Sequence, residues 1–144
     1  MKIYVMGSLK NSEIPEIANL LRAYGFEVFD DWFAAGCHFC EHSADESWKL
    51  YEQGRGRTYK EALQGEAVRH VFEFDKEHLM NSDIAVLLLP AGRAGHLELG
   101  IFIGQGKPAF ILATEDDRWD MMAKWATVCH SKEELITELR ALKS

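Results

Sequence analysis

Ile84-Ala85-Val86-Leu87-Leu88-Leu89 is an unbroken apolar run, closed by Pro90. A strand with one solvated face alternates apolar and polar residues, whereas a strand covered on both faces need not. The run therefore predicts a central parallel strand. Upstream, Thr58 or Tyr59 opens a helical pattern that continues to about Met80. Downstream, Pro90–Gly95 reads as a glycine-containing loop and His96–Gln105 as a short helix. Lys107-Pro108 then leads into a strand over Ala109–Leu112.

The same alternation extends to both ends. Lys2–Met6 reads as a buried strand ending in Gly7-Ser8. Asn11 or Ser12 can cap the next helix, with Pro15 in its first turn and Ile14, Ile17, Leu20 and Leu21 as its apolar stripe. Gly25 ends that helix before a short strand over Phe26–Phe29. Residues 33–58 are the least regular part, with a short helix expected over Ala44–Tyr51. A last strand is expected over Ala126–Cys129, and Ser131 caps a helix over Lys132–Lys143. Strands alternating with helices predict a three-layer α/β fold, flavodoxin-like or Rossmann-like, with a mostly parallel sheet and helices on both faces. Length and apolar content, 144 residues and 47% hydrophobic, suit one domain over residues 1–144. Ligands of such sheets bind beyond the carboxyl ends of the strands, here Gly7–Leu9, Asp30–Trp32, Pro90–Gly95 and Thr114–Asp117.

Composition narrows the partner. A formal charge of −7 argues against binding a nucleic-acid polymer, which needs a basic face to displace counterions. No apolar run reaches the roughly 20 residues of a membrane helix, so no membrane partner is expected. The chain enters its first strand without a charged and apolar leader. Together with an odd number of cysteines (Cys37, Cys40 and Cys129) this predicts free thiols in a reducing cytoplasm. A small molecule is the expected ligand.

Two carboxylates stand in apolar surroundings. Glu98 is the only acidic residue of a helix in which Leu97, Leu99, Ile101, Phe102 and Ile103 cover nearly the whole circumference, so the helix is expected to be buried. The free N–H groups and positive dipole end of its first turn would keep Glu98 ionised, as a nucleophile must be. Capping the helix or pairing with an arginine is the structural alternative. Asp75 follows Val71 and precedes Leu79 by one helical turn each, so it shares their core-facing side. It fits a catalytic carboxylate or a buried ion pair with Arg69, Arg93 or a histidine. Asp83 fits a turn-holding role at least as well as a catalytic one. Two carboxyl groups at about 5–5.5 Å can carry out retaining glycosyl transfer, one attacking the anomeric carbon and one managing the leaving group's proton.

These residues, in their order, resemble the nucleoside 2-deoxyribosyltransferases and the related 2'-deoxynucleoside 5'-monophosphate N-glycosidases. The resemblance rests on Lys2-Ile3-Tyr4-Val5-Met6-Gly7-Ser8, on Asp75 with Leu79, Ser82-Asp83 and the run 84–89, and on Gly95-His96-Leu97-Glu98-Leu99-Gly100 followed by Gly106-Lys107-Pro108. It covers most of the chain outside residues 33–58. It implies that Glu98 attacks C1' of a deoxyribose to form a covalent glycosyl-enzyme. Asp75 would assist base departure or position the nucleophile, and Tyr4 would orient Glu98. Gly7 and Ser8 would lie near the 5' end of the sugar. The remaining substrate contacts are expected from the strand-end segments, namely Asp31, Trp32, Gly92, Arg93 and Gly95. Homo-oligomers are implied too, since family members complete their sites across subunits. No cofactor is implied.

The chain departs from the monophosphate glycosidases after Pro90. Ala91 stands where they carry a phosphate-binding serine, and Arg93 could replace it electrostatically. Arg55-Gly56-Arg57 could hold an anion or be a solvated basic loop. Trp32, Phe33, Trp48, Tyr51 and Tyr59 could stack on a base or pack as a satellite core. Cys37-His38-Phe39-Cys40-Glu41-His42 has zinc-ligand types, but one Cys-x-x-Cys is half a site and the histidines are too close for a finger. No metal is expected. Trp119, Met121, Met122 and Trp125 form either an exposed apolar patch or packing for the last helix. Other readings of the crevice are a nucleotide-binding module without catalysis, and cleavage of the nicotinamide glycosidic bond of NAD.

Overall fold

The computed structural model describes residues 1–8, 11–30, 47–114 and 119–143. They form two compact units, one of residues 1–30 and 82–144 and one of residues 31–81.

The first unit is built on five parallel strands: β1 (Lys2–Met6), β2 (Glu27–Phe29), β3 (Ile84–Leu88), β4 (Ala109–Leu112) and β5 (Thr127–Cys129). Their order is β2-β1-β3-β4-β5. Every residue of β3 is buried, as the run 84–89 predicts for a central strand. Burying each such aliphatic side chain contributes roughly 1.5–3 kcal/mol. Helices α1 (Glu13–Ala23), α5 (Arg93–Gly104) and α6 (Lys132–Lys143) cover the sheet. The chain leaves β1 and β3 in opposite directions, so right-handed crossovers set α1 and α5 on opposite faces. Side-chain contacts agree. Tyr4 meets Phe102 of α5, and Tyr4 pairs in register with Ala85, so Tyr4, Met6, Ala85 and Leu87 share the α5 face. Lys132 Nζ on α6 reaches Glu16 Oε1 on α1 at 2.7 Å, so these two helices share the other face. This is the expected three-layer fold.

Local signals hold at several boundaries. Asn11 Oδ1 accepts from Glu13 N at 3.0 Å, and Ser131 Oγ accepts from Glu134 N at 3.1 Å. Gly25, at φ 89°, ends α1 in the left-handed region that favours glycine. Asp83, read as a turn-holding or a catalytic residue, ties the start of β3 to that of β1: its N donates to Lys2 O and its Oδ2 accepts from Lys2 N, both at 2.8 Å.

The second unit contains α2 (Ser47–Gly54), α3 (Tyr59–Ala62) and α4 (Glu66–Met80). The expected helix over Ala44–Tyr51 therefore runs on to Gly54 in its described part. The single helix expected from Thr58 to Met80 is instead broken at Leu63-Gln64-Gly65. Gly65 takes an extended conformation, φ −86° and ψ 165°, and becomes the N-cap of α4. Thr58 opens α3 with a reciprocal capping box to Glu61. The Thr58 backbone N–H and hydroxyl hold the Glu61 carboxyl below the usual range. Among the described residues no helix is long and apolar enough to cross a membrane.

Candidate active site

In the first unit, β1 and β3 lie side by side while their crossovers leave in opposite directions. Gly7-Ser8 continue β1, Leu89–Gly92 continue β3, and α5 starts at Arg93. Ser8 N donates to Pro90 O at 3.4 Å, joining the two strand ends. A Cβ on Gly7 would lie 2.6 Å from Ile14 Cδ1 and 2.9 Å from Leu88 O. The second of these is backbone and has no rotamer by which to move aside. A Cβ on Gly95 would lie 3.0 Å from Leu87 Cδ1 and 4.0 Å from Gly7 N. Gly7 thus lets the start of α1 and the end of β3 close on the end of β1, and Gly95 lets α5 approach the same strand ends.

Tyr4 is 1% exposed. Its ring lies against Phe29 and Phe102, with centroids at 5.3 and 6.1 Å. Its hydroxyl donates to Glu98 Oε2 at 2.6 Å. An O–H···O⁻ bond of about that length is charge-assisted and roughly twice as strong as a neutral one. The pleat explains the encounter: Tyr4 points to the α5 face, and a half-buried Glu98 faces back from α5.

Two expectations about this helix are corrected. Helix α5 begins at Arg93, not His96, so its first turn is residues 93–96 and contains no acidic residue. Glu98 lies beyond the first turn and the free N–H groups there, so the helix end is not what keeps it charged. The Tyr4 hydroxyl, by donating to it, favours its charged form from the other side. The earlier start follows from Gly92 serving as N-cap, which turns Arg93 and Gly95 from loop into helix. The helix is also not buried all round. Gly95, Leu99 and Phe102 are buried, whereas Leu97 is 71% and Ile101 44% exposed. Apolar content alone does not tell a covered helix from one with an open apolar face.

Asp75 belongs to the second unit. It is half-buried on α4 between Val71 and Leu79, both buried, as its spacing predicts. Asp31 and Trp32 lie outside the described residues, as do Phe33 and the Cys37–His42 cluster. Among the described residues no group of three or more His, Cys, Asp or Glu side chains could hold a metal ion. Cys129 is fully buried, and burial pushes its thiol up to about 11.

One buried carboxylate escapes the sequence reading. Glu52 of α2 is 1% exposed and accepts from Arg57 Nη1 at 2.8 Å. Its position was legible by the reasoning applied to Asp75, since it follows Trp48 by one turn and adjoins Tyr51. Arg57, expected as an anion-holding or solvated residue, is bound to this carboxylate and stands above the Tyr51 ring, as Arg55 does at 4.7 Å. Trp119, Met121, Met122 and Trp125 are all exposed, so they form the surface patch and do not pack the last helix.

No protein-family model and no curated protein sequence matches the chain. Solved structures do. A 2-deoxyribosyltransferase from Bacillus psychrosaccharolyticus aligns with a TM-score of 0.61 at 19% identity, over 94% of this chain and 90% of its own. A CMP N-glycosidase from Clostridium botulinum aligns with a TM-score of 0.54 at 12% identity, over 97% and 99%. A conserved protein from Enterococcus faecalis V583 aligns with a TM-score of 0.65 at 15% identity, over 98% of each chain. At these identities the likeness shows the fold. This chain has the fold of a 2-deoxyribosyltransferase and of an N-glycosidase.

Proposed function

We propose that this chain, folded like a 2-deoxyribosyltransferase and a CMP N-glycosidase, cleaves or exchanges the N-glycosidic bond of 2'-deoxynucleosides, with residues 1–144 acting as one domain. The observation that carries this reading is the 2.6 Å hydrogen bond from the Tyr4 hydroxyl to Glu98 Oε2 at the ligand-binding edge of the sheet. A hydrogen bond donated by a buried phenol favours the ionised carboxylate and fixes its direction, which is what attack on an anomeric carbon requires. In the first step a Glu98 oxygen forms a bond to C1' and the bond from C1' to the base nitrogen breaks, its electron pair leaving with the base. Asp75 manages the proton of the departing base. In the second step a new base, or water, attacks C1' and releases Glu98. Gly7, Ser8, Asp31, Trp32, Gly92 and Gly95 are the proposed substrate contacts. No metal or cofactor takes part.

Hydrolysis of a 2'-deoxynucleoside 5'-monophosphate is the second reading. It is favoured by Arg93, an exposed guanidinium in the first turn of α5 beside Gly92, an N-cap without a side chain. Incubation with deoxynucleosides and their 5'-monophosphates, with and without an acceptor base, tests both. A new nucleoside identifies a transferase, and free sugar or sugar phosphate alone a hydrolase. Full turnover by Glu98→Ala would sink the mechanism. Ligand-dependent melting shifts without turnover of any substrate would make the chain a binding module instead.

A further inference from the structure

Tyr4 is met by one side of α5 at both its ring and its hydroxyl. Phe102 follows Glu98 by one helical turn, so the two side chains leave α5 on the same side. The carboxylate accepts from the hydroxyl, while the Phe102 ring lies beside the phenol ring at 6.1 Å between centroids, tilted by 43°. Phe29 approaches from within the sheet. It pairs in register with Tyr4 across β1 and β2, so both side chains point to the α5 face. Its ring stands at 5.3 Å from that of Tyr4, tilted by 31°. The three rings are buried, and inclined contacts at about 4.5–7 Å are a favoured geometry for aromatic pairs. Each flanking ring also has an ammonium over its face, which is attracted to the π electrons. Lys107 Nζ stands 5.6 Å over Phe102 and donates to Ser82 O at 2.8 Å, and Lys2 Nζ stands 6.0 Å over Phe29.

The plane of the Tyr4 ring matters for a reason particular to phenols. The oxygen lies on the axis about which the ring turns, so turning the ring leaves the oxygen in place. The O–H bond is conjugated with the ring and lies in its plane, so the same turn swings the hydrogen. That torsion is broad in tyrosine unless neighbours restrict it. A hydrogen bond weakens steeply as its angle departs from linearity. Neighbours that fix the ring plane therefore fix the aim of the O–H bond at Glu98 Oε2.

We propose that Phe29 and Phe102 are positioning residues for the nucleophile, setting the plane of the Tyr4 ring and so aiming its hydroxyl at Glu98. Their part in the reaction rests on the glycosidic chemistry proposed for Glu98. The test uses the full chain with Phe29→Leu and Phe102→Leu, each made alone and together with Tyr4→Phe. Leucine fills most of the space but offers no flat face. With a deoxynucleoside as substrate, each leucine variant is expected to lower kcat at least threefold with KM within twofold. Once the Tyr4 hydroxyl is gone, the same substitutions are expected to cost nothing further, since residues acting through one group are not additive. An equal loss in the Tyr4→Phe background is the mark of plain packing and would overturn the proposal, as would an unchanged kcat in both leucine variants. A second readout needs no turnover. It is the NMR resonance of Tyr4 Cζ in protein carrying isotope-labelled tyrosine, assigned by its loss in Tyr4→Phe. Glu98→Ala shows where that resonance stands without the acceptor. Both leucine variants are expected to move it toward that position, whereas Phe29→Tyr, which keeps a ring, leaves it in place. If Phe102→Leu fails to fold, Phe29→Leu, nearer the rim of the core, carries the test. A resonance that neither leucine variant moves would overturn the proposal. Absent turnover by the unmodified chain would sink the glycosidic reading, and the resonance alone then decides whether the two rings aim the hydroxyl.

Discussion

The Tyr4–Glu98 hydrogen bond joins residues 94 positions apart. Hydrogen bonds to charged groups contribute about 1.5–3 kcal/mol, and here the charge is the proposed nucleophile. Tyr4→Phe keeps the ring between Phe29 and Phe102 and removes only the hydroxyl. It is expected to lower kcat by roughly 10- to 100-fold with KM and melting temperature nearly unchanged, since each 1.36 kcal/mol is about tenfold. An unchanged kcat would show that the hydroxyl does not serve the reaction. Cys129 gives a prediction of a different kind. Burial raises its thiol from 9.0 to about 11, so the folded protein keeps the proton that the unfolded chain releases first. The stabilisation is complete below pH 9 and is lost as the pH rises through about 11. Urea titrations at pH 8 and pH 11 should show stability falling across that window, and falling less in Cys129→Ala. The free thiol should also resist alkylation at pH 8 until the protein unfolds.

Glycines decide more at the level of elements than the apolar pattern suggests. Gly92 starts α5 one turn early, and Gly65 splits an apparent long helix into α3 and α4. Periodicity marks which residues share a face, but it does not mark where a backbone leaves helical geometry. Such breaks depend on what lies opposite, in the case of Gly65 the Glu52 carboxylate. Gly7 is the sharpest instance at the candidate site. Gly7→Ala would drive a methyl to within 2.9 Å of Leu88 O, a backbone atom of the central strand. It should destabilise the protein by about 1–3 kcal/mol in urea unfolding, the usual range for overpacking. A neutral result would mean that the strand ends are more loosely joined than the Ser8–Pro90 bond indicates.

At the level of the whole molecule, the open faces predict self-association. Leu97 and Ile101 lie one turn apart on α5, and Trp119, Met121, Met122 and Trp125 are exposed together in sequence. Where such side chains form a contiguous patch of several hundred Å², they mark contact surfaces. Sedimentation is expected to give a multiple of the 16.4 kDa chain, reduced by Leu97→Gln with Ile101→Gln. A monomer at micromolar concentration would overturn the homo-oligomer that the family resemblance implies. The parallel sheet, its central strand and the helices around it were legible along the chain, because strand and helix periods are properties of neighbouring residues. Glu98 and Asp75 could be singled out for the same reason, as charges within apolar patterns. The family resemblance already implied that Tyr4 orients Glu98, and the fold supplies the bond. Only the tertiary structure decided that the end of α5 does not hold Glu98, that Leu97 and Ile101 are open, and that Glu52 is buried. Each of these depends on which face of the pleat meets which helix and on what covers it, and neither is written in the spacing of residues along one segment.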